Sequence, residues 1–107
     1  MLKVLGAQVQ AWRSRYSMTQ ADLARKIGVS VSFISMIERA DRSLSYETLC
    51  ALSRALDVPL AELFRASNER PTEAGYYRRL VDFAREAKLT RRQVDQLIAT
   101  GKALNRL

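Results

Sequence analysis

Histidine is absent from the 107-residue sequence, and cysteine occurs once, as Cys50. The first absence removes the commonest general base and the commonest metal ligand. A lone thiol permits neither an internal disulfide nor a thiolate cluster, and it suits a reducing cytosol. Acidic residues are scattered singly along the chain, with no paired carboxylates, and no glycine-rich phosphate loop occurs. Nothing is arranged for catalysis, so neither enzyme activity nor a cofactor nor a metal is expected. No apolar run approaches the roughly 20 residues that span a bilayer. Met1-Leu2-Lys3 leads into an amphipathic pattern instead of a signal peptide, so a cytoplasmic location is expected. Two prolines and four glycines leave long stretches free to be helical, and with only 7% aromatic residues the core must rest on Leu, Ile, Val and Ala.

What is present is a modest apolar core and an excess of positive charge. Apolar residues make up 48% of the chain, enough for one compact domain with an appended segment. Eighteen Lys and Arg against eleven Asp and Glu give a formal charge of +7, which fits a polyanionic partner. Residues 1–65 hold nine basic and six acidic residues, and residues 66–107 hold nine and five. The charge is thus spread along the chain and forms no basic tail.

Helical spacing dominates. Leu2, Leu5, Val9, Trp12 and Tyr16 form one apolar stripe, on which Trp12 and Tyr16 are expected to pack in the core. Thr19, with Asp22 three residues on, caps a second helix through Leu23, Ala24 and Ile27 that stops at Gly28. Residues 29–33 alternate with period two, yet Phe33, Ile34 and Ile37 have helical spacing; Ser30 then caps a third helix running to about Arg39. Asp41-Arg42-Ser43 is a break. Ser45 caps a fourth helix carrying Leu49, Leu52, Ser53 and Leu56, and Pro59 opens a short fifth through Leu60, Leu63 and Phe64. Residues 66–75, with Pro71 and Gly75, are the most linker-like stretch. Beyond it Tyr77, Leu80, Val81, Ala84 and Ala87 mark another amphipathic helix. Thr90 and Gln93 form a capping box for a last one, which carries Val94, Leu97 and Ile98 up to Gly101.

The window Gln20–Arg39 meets every demand of a helix-turn-helix. Ala24 is the small residue where two helices cross, Gly28 makes the turn, and Leu23, Ile27, Val29, Ile34 and Ile37 lock the pair. With Ile34 and Ile37 pointing inward, Ser32, Ser35, Met36 and Arg39 must point out.

The runs Leu5-Gly6, Val9, Trp12-Arg13, Met18-Thr19-Gln20, Leu23-Ala24, Ile27-Gly28-Val29-Ser30, Ile34-Ser35 and Ile37-Glu38-Arg39 resemble the phage repressor/Cro (XRE) family. So do Tyr46-Glu47-Thr48-Leu49, Leu52, Ala55-Leu56, Val58 and Ala61-Glu62-Leu63-Phe64. The resemblance covers about residues 3–65. It implies an all-α, five-helix domain, dimeric binding to palindromic double-stranded DNA and usually repression, with the third helix in the major groove. By the same resemblance Gln20 contacts backbone or base; Val31, Ser32, Ser35 and Met36 face bases; and Phe33, Arg39 and Arg42 flank them at places that usually touch phosphate or sugar. The sequence departs from the family at Ala40, where a glycine is usual, and at Leu44, where proline is common, which affects the turn carrying Arg42. The base-facing set also lacks the Arg, Asn and Gln of bidentate readout. Direct readout is therefore expected to be modest, with phosphate contacts and DNA shape adding specificity.

The expected architecture is thus a helix-turn-helix domain over residues 1–65, a linker over 66–75 and a helical extension of about two helices over 76–107. Each of those two helices is marginal alone. Their apolar faces must lie against the first domain or a second copy, and a contribution to a homodimer is expected. Cys50 is expected to be a passive thiol, and Arg91-Arg92 in a helical first turn meets the helix dipole unfavourably. The leading function is a dimeric operator-binding regulator, expected to be a repressor. The alternative is an antitoxin or interaction module whose C-terminal helices bind a partner protein, with DNA binding used for autoregulation.

Overall fold

Several helix boundaries follow from local chemistry. In the computed structural model, which describes residues 2–65 and 73–104, the chain forms α1 (Leu2–Arg15), α2 (Gln20–Ile27), α3 (Val31–Glu38), α4 (Tyr46–Leu56), α5 (Leu60–Leu63), α6 (Glu73–Glu86) and α7 (Arg91–Leu104). No strand occurs among the described residues, so the alternating residues 29–33 open a helix. Thr19 caps α2 through a reciprocal pair: its hydroxyl accepts from the Asp22 amide at 3.0 Å, and its own amide donates to the Asp22 carboxylate at 2.9 Å. Ser30 and Ser45 cap α3 and α4, accepting from the amides of Phe33 and Thr48. Gly28 ends α2 at φ 75°, and Thr90 with Gln93 closes the box that starts α7.

These caps set the angles at which the apolar faces meet. Leu5 and Val9 of α1, Leu23 of α2, Ile34 and Ile37 of α3, and Leu49, Leu52 and Leu56 of α4 form one buried cluster. Leu63 and Phe64 close it from below. Gly6 lies where α1 meets the end of α3: an added Cβ would stand 2.6 Å from the Ile37 carbonyl oxygen and 2.8 Å from that of Glu38. The missing side chain is what permits that crossing. Gln8 is a buried polar residue, and its amide donates to the Arg65 carbonyl just beyond α5.

Tyr16 departs from expectation. It is 49% exposed, because α1 stops at Arg15 and the chain reverses through Ser17 at φ 54°. Met18, not Tyr16, packs against the core there, while Trp12 stays partly buried with Tyr16 stacked on it at 6.1 Å.

The extension joins the same core. Leu80 and Phe83 of α6 and Leu97 of α7 are buried with the first five helices, and Phe83 meets Phe64 edge-on at 5.5 Å. The Tyr46 hydroxyl donates to the Gln96 side chain at 2.5 Å, a further tie between α4 and α7. A radius of gyration of 13.0 Å is that of one compact chain of this length, about 13 Å. Glu73–Gly75, placed in the linker by sequence, form the first turn of α6, and α7 continues past Gly101; residues 66–72 of the expected linker lie outside the described residues. No helix among the described residues is long and apolar enough to cross a membrane.

Candidate nucleic-acid interface

α3 is held from behind and bare in front. Ile34 and Ile37 are fully buried, whereas Val31 is 45% exposed and Ser32 and Arg39 are exposed. Ser35 and Met36 are half-buried between these two faces. α2 packs against α3, and the small residue Ala24 is buried there at 2% exposed. The turn between them is closed by the Gly28 and Val29 amides, both of which donate to the Ala24 carbonyl.

A polar network fixes the far end of α3. Arg13 donates to the Glu38 carboxylate through Nε at 2.7 Å and Nη2 at 3.1 Å, and through Nη1 to the Met18 carbonyl at 2.8 Å. Gln20 adds its amide nitrogen to the same carboxylate at 3.1 Å. The Glu38 side chain is only 5% exposed and that of Arg13 15%. The hydrogen bond to Glu38 holds the Arg13 guanidinium above its ordinary pKa despite its burial. α1, the start of α2 and the end of α3 are therefore joined through one carboxylate. Gln20, expected at a DNA contact, is bonded within the chain to Glu38, and this anchor was not legible: Arg13 and Glu38 are far apart in sequence, and only the fold brings them together.

The stretch after α3 keeps a left-handed turn without a glycine. Ala40 adopts φ 61°, its amide donates to the Ile37 carbonyl at 3.0 Å, and the Asp41 amide donates to that of Met36 at 2.9 Å. The usual helix-ending turn thus forms at the cost of strain on an alanine. Leu44, standing where proline is common, is 3% exposed and anchors the chain in the core before α4. Arg42 lies between these anchors, exposed, with its guanidinium 4.8 Å above the Phe33 ring. Phe33 itself packs partly against the core, so it acts as a shelf for Arg42. Arg39 is tied on the same surface: Nη1 donates to the Ser35 hydroxyl at 2.6 Å and Nε to the Asp41 carboxylate at 3.0 Å.

Of the expected site residues, Val31, Ser32, Arg39 and Arg42 are exposed, Arg39 is brought to Ser35 and Arg42 to Phe33, while Gln20, Ser35 and Met36 are half-buried and Gln20 is bonded to Glu38 instead. The Asp41 carboxylate, bonded to Arg39, was not singled out by sequence reading. No group of His, Cys, Asp and Glu able to hold a metal occurs among the described residues. Cys50 is half-buried beside Tyr46, whose phenol is pushed above its usual pKa first by burial and then by its hydrogen bond with the Cys50 thiol.

Two helices crossed at a small residue, with the second presenting its outer face, define a helix-turn-helix. Residues 9–63 match the helix-turn-helix family described by that name. The uncharacterized HTH-type transcriptional regulator y4dJ of Sinorhizobium fredii is 31% identical over 71 residues, covering 66% of this chain and 92% of that protein. The chain belongs to the helix-turn-helix family of the repressor/Cro (XRE) type. No solved structure matches it significantly.

Proposed function

We propose that the protein is a sequence-specific double-stranded DNA-binding transcriptional regulator that acts as a homodimer on a palindromic operator and represses by occupancy. One observation carries the reading: Val31 and Ser32 stand exposed at the start of α3, while Ile34 and Ile37 on its opposite side are buried. The N-terminal part of a recognition helix is what meets base edges in the major groove. The net charge of +7 favours the approach to phosphate, and Arg42 on its aromatic shelf supplies a placed cation beside the groove. Val31 and Met36 suit thymine methyl groups, and Ser32 makes a small polar contact.

A single recognition helix covers too few base pairs for useful specificity, so a second copy must supply the other half-site. The extension offers the surface for it. α6 and α7 leave an apolar groove of about 570 Å³ between them, lined by Leu80, Val81, Ala84, Val94 and Ile98, with Val81 49% exposed. Two copies meeting through this groove would carry both α3 helices on one rigid body each, because α6 and α7 share the core of the domain.

Selection of bound duplexes from a random library, followed by titration at several salt concentrations, tests the function. A palindromic site bound far more tightly than random DNA is expected, with affinity falling steeply as salt rises. Binding with no sequence preference would refute it. Light scattering tests the dimer: two chains per particle are expected for the wild type and one for Val81→Glu. A Val81→Glu protein that remains dimeric would remove the groove from the interface. A wild type that is a single chain, and binds its site as one, would remove the dimer itself.

A further inference from the structure

We infer that Arg39 reads a guanine in the major groove, positioned by Ser35 and Asp41, and does not contact phosphate. The inference rests on the DNA-binding reading above and assigns a specificity-determining residue within it. Three features of the structure support it.

The first is direction. Ser35 lies one helical turn before Arg39 on the same face of α3, and the Arg39 guanidinium bonds to its hydroxyl at 2.6 Å. The side chain is therefore folded back along the recognition helix, toward the part that enters the groove. The second is charge. Nε of Arg39 donates to Asp41 at 3.0 Å, which makes a locally neutral pair. A phosphate brought against that pair would meet the Asp41 carboxylate as well as the guanidinium, and little counterion release would follow. A base edge is uncharged and presents acceptors, so the carboxylate does not oppose it in the same way. The third is donor geometry. Asp41 and Ser35 use one donor on Nε and one on Nη1, which leaves a donor on Nη1 and both on Nη2. Guanine O6 and N7 are the pair of acceptors that takes two donors from one guanidinium.

Arg42 differs in each respect. Its guanidinium lies over the Phe33 ring and bonds to no carboxylate among the described residues, so its charge is open to a phosphate. The two arginines divide the work, Arg42 on the backbone and Arg39 on a base. This supplies the bidentate readout that Val31, Ser32 and Met36 cannot make.

The test is duplex selection with the full chain, followed by affinities for the selected site and for each single-base variant. Wild type, Arg39→Gln, Asp41→Asn and Arg42→Gln are compared, with circular dichroism confirming that each folds. For the wild type, replacing one guanine per half-site should weaken binding about fivefold to 150-fold. Arg39→Gln should abolish that preference or move it to adenine, leaving other positions unchanged. Asp41→Asn should reduce the preference several-fold while binding to random DNA strengthens. Arg42→Gln should weaken all sequences alike and reduce the salt slope by about one. The inference is overturned if Arg39→Gln behaves like Arg42→Gln, or if the guanine preference survives it. A wild type that selects no site at all overturns the regulator reading, an outcome separate from selection that does not depend on Arg39.

Discussion

Glu38 is the side chain on which three segments depend, and its removal should be severe. Glu38→Met replaces a carboxylate that is 5% exposed and accepts hydrogen bonds at 2.7 and 3.1 Å from Arg13 and at 3.1 Å from Gln20. The Arg13 guanidinium, 15% exposed, would keep only its bond to the Met18 carbonyl. Breaking one side of a buried ion pair costs about 3–5 kcal/mol, because the other charge is left without compensation. The retained Met18 bond and the residual access to water place this case near the lower end, about 3 kcal/mol. For a domain of this size that lowers the melting temperature by at least about 10 °C. Urea denaturation followed by far-ultraviolet circular dichroism measures the loss. Arg13→Met combined with Glu38→Met should recover a large part of it, since no charge then remains buried alone. A single variant within about 1 kcal/mol of wild type, the range of an exposed pair, would refute the reasoning. So would a double variant whose loss is the sum of the two single losses.

Four further outcomes are expected. Gly6→Ala drives a Cβ to 2.6 Å from a backbone oxygen of α3 and should cost about 2 kcal/mol by urea titration, even though alanine is the better helix former. Ala40→Gly relieves the strain of φ 61° and should stabilise by about 1 kcal/mol, read as a raised melting temperature. Phe83→Ala empties a fully buried site against Phe64 and should cost about 3–5 kcal/mol, with all optical probes reporting a single transition. The Asp22 carboxyl is held below its ordinary pKa, chiefly by the Thr19 amide. Its folded pKa therefore lies below its unfolded one, and the stability it adds is present above the unfolded value, about 3.9, and lost as pH falls through the folded value. Asp22→Asn should flatten the acid side of the stability profile below about pH 4, measured by denaturation at stepped pH.

The helices and their ends were legible because their signals are local. Thr19 with Asp22, Ser30, Ser45 and the Thr90–Gln93 box each satisfy amides within three residues, so sequence spacing alone carries them. The buried faces of α2 and α4 were legible for the same reason, since burial repeats with the helical period. Tyr16 shows where periodicity stops being informative: the stripe continues on paper, but α1 ends one residue earlier and the chain turns away. Phe83 shows the converse. It was not on the stripe read for its helix, yet it is fully buried, because α6 packs on α7 and Phe83 also meets Phe64, just beyond α5. Around α3 the exposure of Ser32 and Arg39 followed from the wheel, whereas Ser35 and Met36, expected outward, are half-buried, and the partners of these side chains were not legible. Glu38 with Arg13, and Arg42 over Phe33, are joined by folding over distances that no short window covers.

The extension was expected to be marginal alone, and the way it is bound changes what its removal would mean. Phe83 and Leu97 lie in the same buried cluster as Leu63, Phe64 and Leu52, so deleting residues 76–107 strips cover from the domain that carries α3. A truncated chain that fails to bind DNA would then report lost folding as readily as lost dimerisation. Val81 separates the two, because its side chain is half exposed in the groove and contributes little to that shared core. Charge at Val81 disturbs only what sits on the groove, whereas deletion disturbs what sits beneath it. The apolar surface of α6 and α7 therefore divides into an inner part that completes the domain and an outer part that lines the groove, and only substitutions on the outer part test the proposed assembly.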